Sequence, residues 1–164
     1  MNRTKLILII LNLVFLLGYF NWSVFSKEKT LESGRLVLLE LAPVDPRSLM
    51  QGDYMRLRYK INNTDRIKLG KRGFCILKLD TNGVAQRIRF QGSLQPLQKG
   101  EFGIKYFSDS YGSYINIHVG AESYFFEEGA GERYEAAKYG GLKIDEEGNS
   151  VLTGLYNEQH HLIR

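Results

Sequence analysis

The sequence has little cysteine, proline or tryptophan, and it lacks the patterns that mark several common enzyme classes. Its one cysteine, Cys75, cannot form an internal disulfide, which excludes a disulfide-stabilised miniprotein. Three prolines are too few for a proline-rich or collagen-like chain. No Walker A, GxGxxG or HExxH pattern is present, so the sequence predicts neither a phosphate-cradling loop nor a zinc hydrolase. With 164 residues, 43% of them hydrophobic, the chain has the size and composition of one folded domain.

The charge of the chain is nearly balanced, with 22 basic and 18 acidic residues. About half of the basic excess lies in residues 1–26, which contain Arg3 and Lys5 and no acidic residue. A nucleic-acid binder needs basic residues clustered on one face. We therefore expect no nucleic-acid partner.

Residues 6–25 form an apolar run that predicts a membrane-spanning helix. The run LILIILNLVFLLGYFNWSVF has 20 residues and no charge, enough to cross about 30 Å of hydrocarbon. A cleaved signal peptide is the alternative, but the end of the run lacks the small A-x-A pattern of a cleavage site. We expect a retained bilayer anchor at residues 1–26, followed by a polar linker at 27–34.

The orientation of this anchor is predicted from domain size, because basic residues flank both ends of the run. Large domains are translocated largely regardless of charge, and the tail before the run has only five residues. We expect the N-terminus inside the cytoplasm and the C-terminal domain outside it.

Residues 35–164 contain short alternating runs that are typical of β-strands. Two hairpins are predicted around strong turn sequences, one joining 74–79 to 84–90 and one joining 143–145 to 150–156. Further strands are predicted at 36–41, 54–61, 102–107, 114–119 and 124–126. One helix is predicted at 127–139, with Gly140 and Gly141 as its stop. We expect a mostly β domain, a sandwich or barrel of about eight or nine strands with one short helix, after a single N-terminal transmembrane helix.

The segment 43–59, PVDPRSLMQGDYMRLRY, is the most distinctive in the chain. Period-two alternation in 54–61 predicts a buried face of Met55, Leu57, Tyr59 and Ile61, with Tyr54 on the opposite, mostly basic face. Upstream, Asp45, Arg47 and Asp53 are predicted to form a charge cluster, which either pins a loop to the sheet or contacts a partner.

Five of these residues, Gly52, Asp53, Tyr54, Leu57 and Tyr59, spell GDYxxLxY, and the chain resembles the GDYXXLXY family, which is named for that motif. The stretches PVDPRS, FFEEGAGERYEAAKYGGLKID and VLTGLY extend the resemblance over roughly residues 35–156. It implies a bacterial domain that is anchored in the inner membrane, faces the envelope and has no assigned reaction. Because relatives often occur beside or fused to multi-span membrane domains, it also implies a multi-span membrane protein as partner.

Acidic and histidine residues give weaker signals. Glu128 has Glu132 and Glu135 at the spacing of one helix face, where a solvated acidic surface is the simplest interpretation. The three histidines have no metal-ligand spacing, and Cys75 has no cysteine partner. We therefore expect no metal and no cofactor.

The function that the sequence favours is a binding, scaffolding or regulatory subunit without catalysis, with no small-molecule ligand assigned. The alternative is an envelope hydrolase that uses either Ser48 with a lysine base, as signal peptidases do, or a carboxylate pair. A glycan-binding groove is a third interpretation, but the one tryptophan lies in the anchor. The predicted partner-binding residues are Asp45, Arg47, Gly52, Asp53, Tyr54, Tyr59, Glu128, Tyr134 and Glu135.

Overall fold

The computed structural model describes residues 3–42, 50–51, 54–62, 69–111, 114–127 and 129–164. It begins with one long helix, α1 (Arg3–Ser33), whose apolar part is not buried against the rest of the protein. The helix is long and apolar enough to span a membrane. Its 31 residues extend for about 46 Å, more than the hydrocarbon thickness alone requires.

The helix continues through residues 27–33, for which the sequence predicts a polar linker. No proline or glycine interrupts this segment, and Thr30 is packed against the domain. Only Gly34 separates α1 from the first strand, and its amide donates to the Thr30 carbonyl at 2.9 Å. A Cβ at this position would collide with the same carbonyl oxygen, so the helix passes directly into the sheet through a glycine.

The body of the chain is strand-rich, which confirms the predicted fold class. In the described residues it holds one further short α-helix, α2 (Gly131–Tyr134), and a 3-10 turn at Lys60–Asn62. The described strands are β1 (Arg35–Glu40), β2 (Met50–Gln51), β3 (Tyr54–Arg56), β4 (Arg72–Leu79), β5 (Ala85–Gln91), β6 (Glu101–Tyr111), β7 (Tyr114–His118), β8 (Ser123–Phe125), β9 (Tyr139–Ile144) and β10 (Ser150–Tyr156).

The strands form three antiparallel sheets, with orders β1-β9-β10, β2-β3-β8 and β5-β4-β6-β7. Two backbone hydrogen bonds join the first of these sheets to the third: the Leu38 amide donates to the Gly83 carbonyl at 3.1 Å, and the Lys105 amide donates to the Gly148 carbonyl at 2.9 Å. All three sheets contribute to one apolar core, which includes Val37, Leu39, Met55, Leu57, Tyr59, Leu77, Ile104, Leu142 and Leu155. The sheets therefore enclose a common interior.

Both predicted hairpins are present, as β4–β5 and β9–β10. The turn of the first hairpin is closed by Asp80, whose Oδ1 accepts from the amides of Asn82 and Val84. Such aspartate turns depend on neighbouring residues alone, which explains why the sequence reveals them.

The helix predicted at 127–139 is much shorter than expected. Gly129 adopts a φ of +80°, which a helix does not accept, and α2 starts only after it. Downstream, the Lys138 amide donates to the Tyr156 carbonyl, so the chain has already joined the sheet. Gly140 and Gly141 accordingly lie inside β9 and do not stop a helix.

The junction between α1 and the domain is a polar contact at Thr30. This residue keeps 2% of its surface exposed, and its hydroxyl donates to Asp145 Oδ2 at 2.9 Å. Asp145 also accepts from the amides of Glu147 and Asn149 and from the Asn149 side chain. The same carboxylate therefore closes the β9–β10 turn and holds the end of α1 on that turn.

Replacing this carboxylate should destabilise the protein. We expect Asp145→Ala to lower the free energy of unfolding by roughly 1–3 kcal/mol, because four donors lose their acceptor. Urea unfolding of the detergent-solubilised chain, followed by near-UV circular dichroism, measures the change. The matched control is Asp80→Ala, which opens a similar turn without touching α1. The fluorescence of Trp22 should change in Asp145→Ala and stay the same in Asp80→Ala.

The effect of Asp145→Ala should also depend on pH. Burial alone would raise the pKa of Asp145, but hydrogen bonds from Asn149, Thr30 and Glu147 outweigh it and hold the pKa below its ordinary value. A lowered pKa means that the stabilisation is complete above about pH 4 and is lost as the pH falls through the folded-state pKa. A difference between wild type and variant that grew on acidification would contradict this assignment.

Candidate functional site

The described part of the GDYxxLxY segment places its residues on two faces, as the alternation predicts. Met55, Leu57, Tyr59 and Ile61 are all buried, whereas Arg56, Arg58 and Lys60 are exposed and Tyr54 is half-buried. The regular strand is shorter than predicted, because β3 ends at Arg56 and the chain turns at Lys60–Asn62. The alternation of burial nevertheless continues to Ile61.

Tyr59 is a core residue. Its side chain is fully buried, and its hydroxyl donates to the Ala121 carbonyl at 2.5 Å. Burial, with a smaller contribution from Glu122, raises the pKa of Tyr59, so the hydroxyl stays protonated. The side chain presents no surface to a partner, which removes Tyr59 from the predicted contact set.

The ring of Tyr59 lies directly against Gly140. A Cβ on Gly140 would come within 2.9 Å of Tyr59 Cε1 and 3.0 Å of its hydroxyl oxygen. This close approach explains why β9 carries glycine at a buried position. It also brings the GDYxxLxY segment, which holds Tyr59, into contact with the stretch FFEEGAGERYEAAKYGGLKID, which holds Gly140.

Tyr134 is buried as well, between two aromatic rings. It packs edge to face on Tyr124, with 5.1 Å between centroids, and against Phe126 at 5.5 Å. Burial and a hydrogen bond with Tyr134 raise the pKa of Tyr124 to about 12. Tyr134 therefore belongs to the packing of α2, whereas its neighbour Glu135 is exposed at the end of the helix.

An aromatic pair lies at the surface where β3 meets β8. Tyr54 is opposite Phe125 in the register, and their ring centroids are 5.6 Å apart. Phe125 leaves 74% of its surface exposed, and Arg56 is exposed on the same strand as Tyr54. We call Tyr54, Arg56 and Phe125 the aromatic–basic patch. Sequence reasoning missed Phe125, because a three-residue strand is too short for its alternation to show which side faces outward.

Several predicted site residues lie outside the described residues. These are Asp45, Arg47, Gly52, Asp53 and Glu128, together with the alternative nucleophile Ser48. The charge cluster of Asp45, Arg47 and Asp53 stays a prediction.

The described residues show how some reactive side chains are engaged. Lys60 forms an ion pair with Glu40. Burial raises the pKa of the Cys75 thiol to about 12, which keeps it in the unreactive protonated form. Among the residues that the structure describes, no group of three or more His, Cys, Asp or Glu side chains is placed to hold a metal ion.

A cleft of about 390 Å³ lies between α1 and the domain. The helix contributes Trp22, Ser26 and Lys27, and the domain contributes Lys105, Asn149 and Ser150. Sequence reasoning missed this cleft, because Lys27 and Lys105 are far apart in the chain and belong to no common motif.

The profile of the family described as GDYXXLXY protein matches residues 16–155, which is most of the chain. The chain belongs to the GDYXXLXY family. Comparisons with curated proteins and with solved structures find no match. The matched region of this GDYXXLXY protein includes the second half of α1 as well as the β domain, so both walls of the cleft lie within it.

Removing the Tyr59 hydroxyl should destabilise the GDYXXLXY domain. We expect Tyr59→Phe to cost roughly 1–3 kcal/mol of unfolding free energy, because the buried Ala121 carbonyl loses its donor. Tyr139→Phe is the matched control, since the described structure gives that hydroxyl no hydrogen bond, and it should cost less than about 0.5 kcal/mol. Equal costs in urea unfolding would contradict a structural role for this motif tyrosine.

Proposed function

We propose that this protein is a membrane-anchored binding subunit, whose β domain docks on a multi-span membrane protein in the bacterial inner membrane. The domain lies outside the cytoplasm, and the aromatic–basic patch supplies contacts to the partner. The observation that carries the proposal is the exposed Phe125 ring beside Tyr54, the motif tyrosine that is not used in the core.

The surface of α1 supports the membrane anchor. Large apolar side chains along the helix are exposed, among them Phe15 at 75%, and the apolar stretch finds no cover within the described structure. A bilayer provides that cover for a run of this length. The size of the domain favours an external position, because large domains are translocated largely regardless of charge.

The difference between the two described motif tyrosines supports the patch. Tyr59 is explained by its hydrogen bond and by its packing on Gly140, whereas the ring contact that Tyr54 makes within the described residues is with a mostly exposed phenylalanine. Exposed aromatic rings beside an arginine are typical of residues that dominate binding energy at protein interfaces. A surface of this composition suits a protein partner with an apolar pocket and acidic groups nearby.

The helix junction supports docking on a membrane partner. Because Thr30 and Asp145 fix the end of α1, the patch is held at a set position relative to the anchor. Confinement at the membrane surface raises the effective concentration of the domain toward a membrane partner. Modest contacts then suffice for binding.

Site-specific photo-cross-linking in native membranes tests this function. A benzoyl-phenylalanine at position 125 should cross-link to a multi-span membrane protein, whereas one at position 107 should not. Phe107 is the matched control, because it is also an exposed phenylalanine on a strand but stacks on His118 in another sheet.

The variant Phe125→Ser should weaken capture of the cross-linked protein by at least roughly tenfold, since loss of a central aromatic contact typically costs that much. Phe107→Ser should leave capture unchanged. Both variants must remain in the membrane fraction after alkaline extraction. Equal cross-linking from the two positions, or none to a membrane protein from position 125, would contradict the proposal.

A further inference from the structure

The cleft between α1 and the domain lies where the apolar run of the helix ends. Its helix wall runs from Tyr19 to Thr30, and the run of apolar residues closes at Phe25. Twenty residues cover about 30 Å, so a helix that spans the hydrocarbon puts Ser26 and Lys27 at the level of the lipid headgroups. Trp22, which also lines the cleft, is a residue type that prefers this zone.

Two cationic side chains line the cleft, and the Asp145 carboxylate lies behind the lining residues Thr30 and Asn149, which donate to it. Lys27 and Lys105 line it from opposite walls, and its described lining includes no acidic residue. The Lys105 ammonium donates to the Asn149 side-chain oxygen at 2.7 Å, which holds this lysine beside the other polar residues of the wall. The cleft thus presents two cations from two separate parts of the chain.

The remaining lining combines hydroxyl groups with apolar surface. Ser26 and Thr30 lie on the helix wall, and Val119 and Val151 lie on the domain wall. The volume of about 390 Å³ falls in the range of small-molecule sites. A ligand that fits these features carries a negative charge, hydrogen-bond acceptors and an apolar portion.

We propose that this cleft binds the phosphate headgroup of an anionic phospholipid from the leaflet that faces the domain. The proposal rests on the membrane anchoring proposed above. Lys27 and Lys105 contact the phosphate, and Trp22 packs beside the upper part of the acyl chains. A lipid is favoured over a protein because the cleft opens at headgroup height, where charged lipid phosphates are the abundant anions.

Quenching of Trp22 provides a direct test, because it is the one tryptophan of the chain. The full-length protein is reconstituted in phosphatidylcholine vesicles that contain a minor fraction of brominated lipid, either phosphatidylglycerol or phosphatidylcholine. Brominated phosphatidylglycerol should quench Trp22 more strongly. The variant Lys27→Gln/Lys105→Gln should lose this preference. Each lysine removed should lower the association constant for phosphatidylglycerol by about fivefold.

The matched control is Lys29→Gln/Lys99→Gln, which removes the same charge. Neither residue lines the cleft, and Lys29 lies only two positions from Lys27 on the same helix. The site is supported if the control keeps the wild-type preference for phosphatidylglycerol and the cleft variant loses it. Equal quenching by both lipids in the wild type, or equal loss in both variants, overturns it.

Two further outcomes distinguish a lipid site from a site for soluble phosphate and from a helix that lies outside the bilayer. If glycerol phosphate at matched ionic strength abolishes the preference for phosphatidylglycerol, the cleft takes a soluble phosphate and the lipid assignment is overturned. If the preference persists, the lipid assignment is supported. If neither brominated lipid quenches Trp22, the helix is not in the bilayer, and the anchoring proposal fails together with this one.

Discussion

The hydrogen bond between Thr30 and Asp145 is the contact on which the relation of helix to domain depends. It joins the last turns of α1 to the β9–β10 turn, and the same carboxylate closes that turn. Because only Gly34 separates α1 from β1, the chain has little freedom to swing the domain. A helix long enough to span a bilayer therefore ends inside the folded unit, and the cleft at the junction keeps a defined shape.

The GDYxxLxY motif places its residues in two different environments. Leu57 and Tyr59 point into the core, where Tyr59 bonds to Ala121 and lies against Gly140. Tyr54 lies at the surface beside Phe125. The buried positions account for a motif that specifies a fold, and we propose that the surface position contributes to binding. The proposed subunit function uses only the second part.

Local signals in the sequence predicted some of this arrangement, and tertiary contacts decided the rest. The β4–β5 turn follows from Asp80 and the alternation of 54–61 follows from period two, so both could be predicted. The helix at 127–139 could not, because Gly129 and the pairing of Lys138 with Tyr156 break a pattern that looks helical. The end of α1 and the lysine cleft depend on residues that are distant in sequence, which no local pattern reveals.

The rigid junction is the central claim, and an electron–electron distance measurement tests it most directly. Spin labels on Gly18→Cys and Lys99→Cys in reconstituted full-length protein report the position of the domain relative to α1. A Cβ at Gly18 meets no other atom, and the buried, protonated Cys75 should not react. We predict one narrow distance distribution that broadens in the Asp145→Ala background. A distribution that is already broad in the wild type would contradict the account.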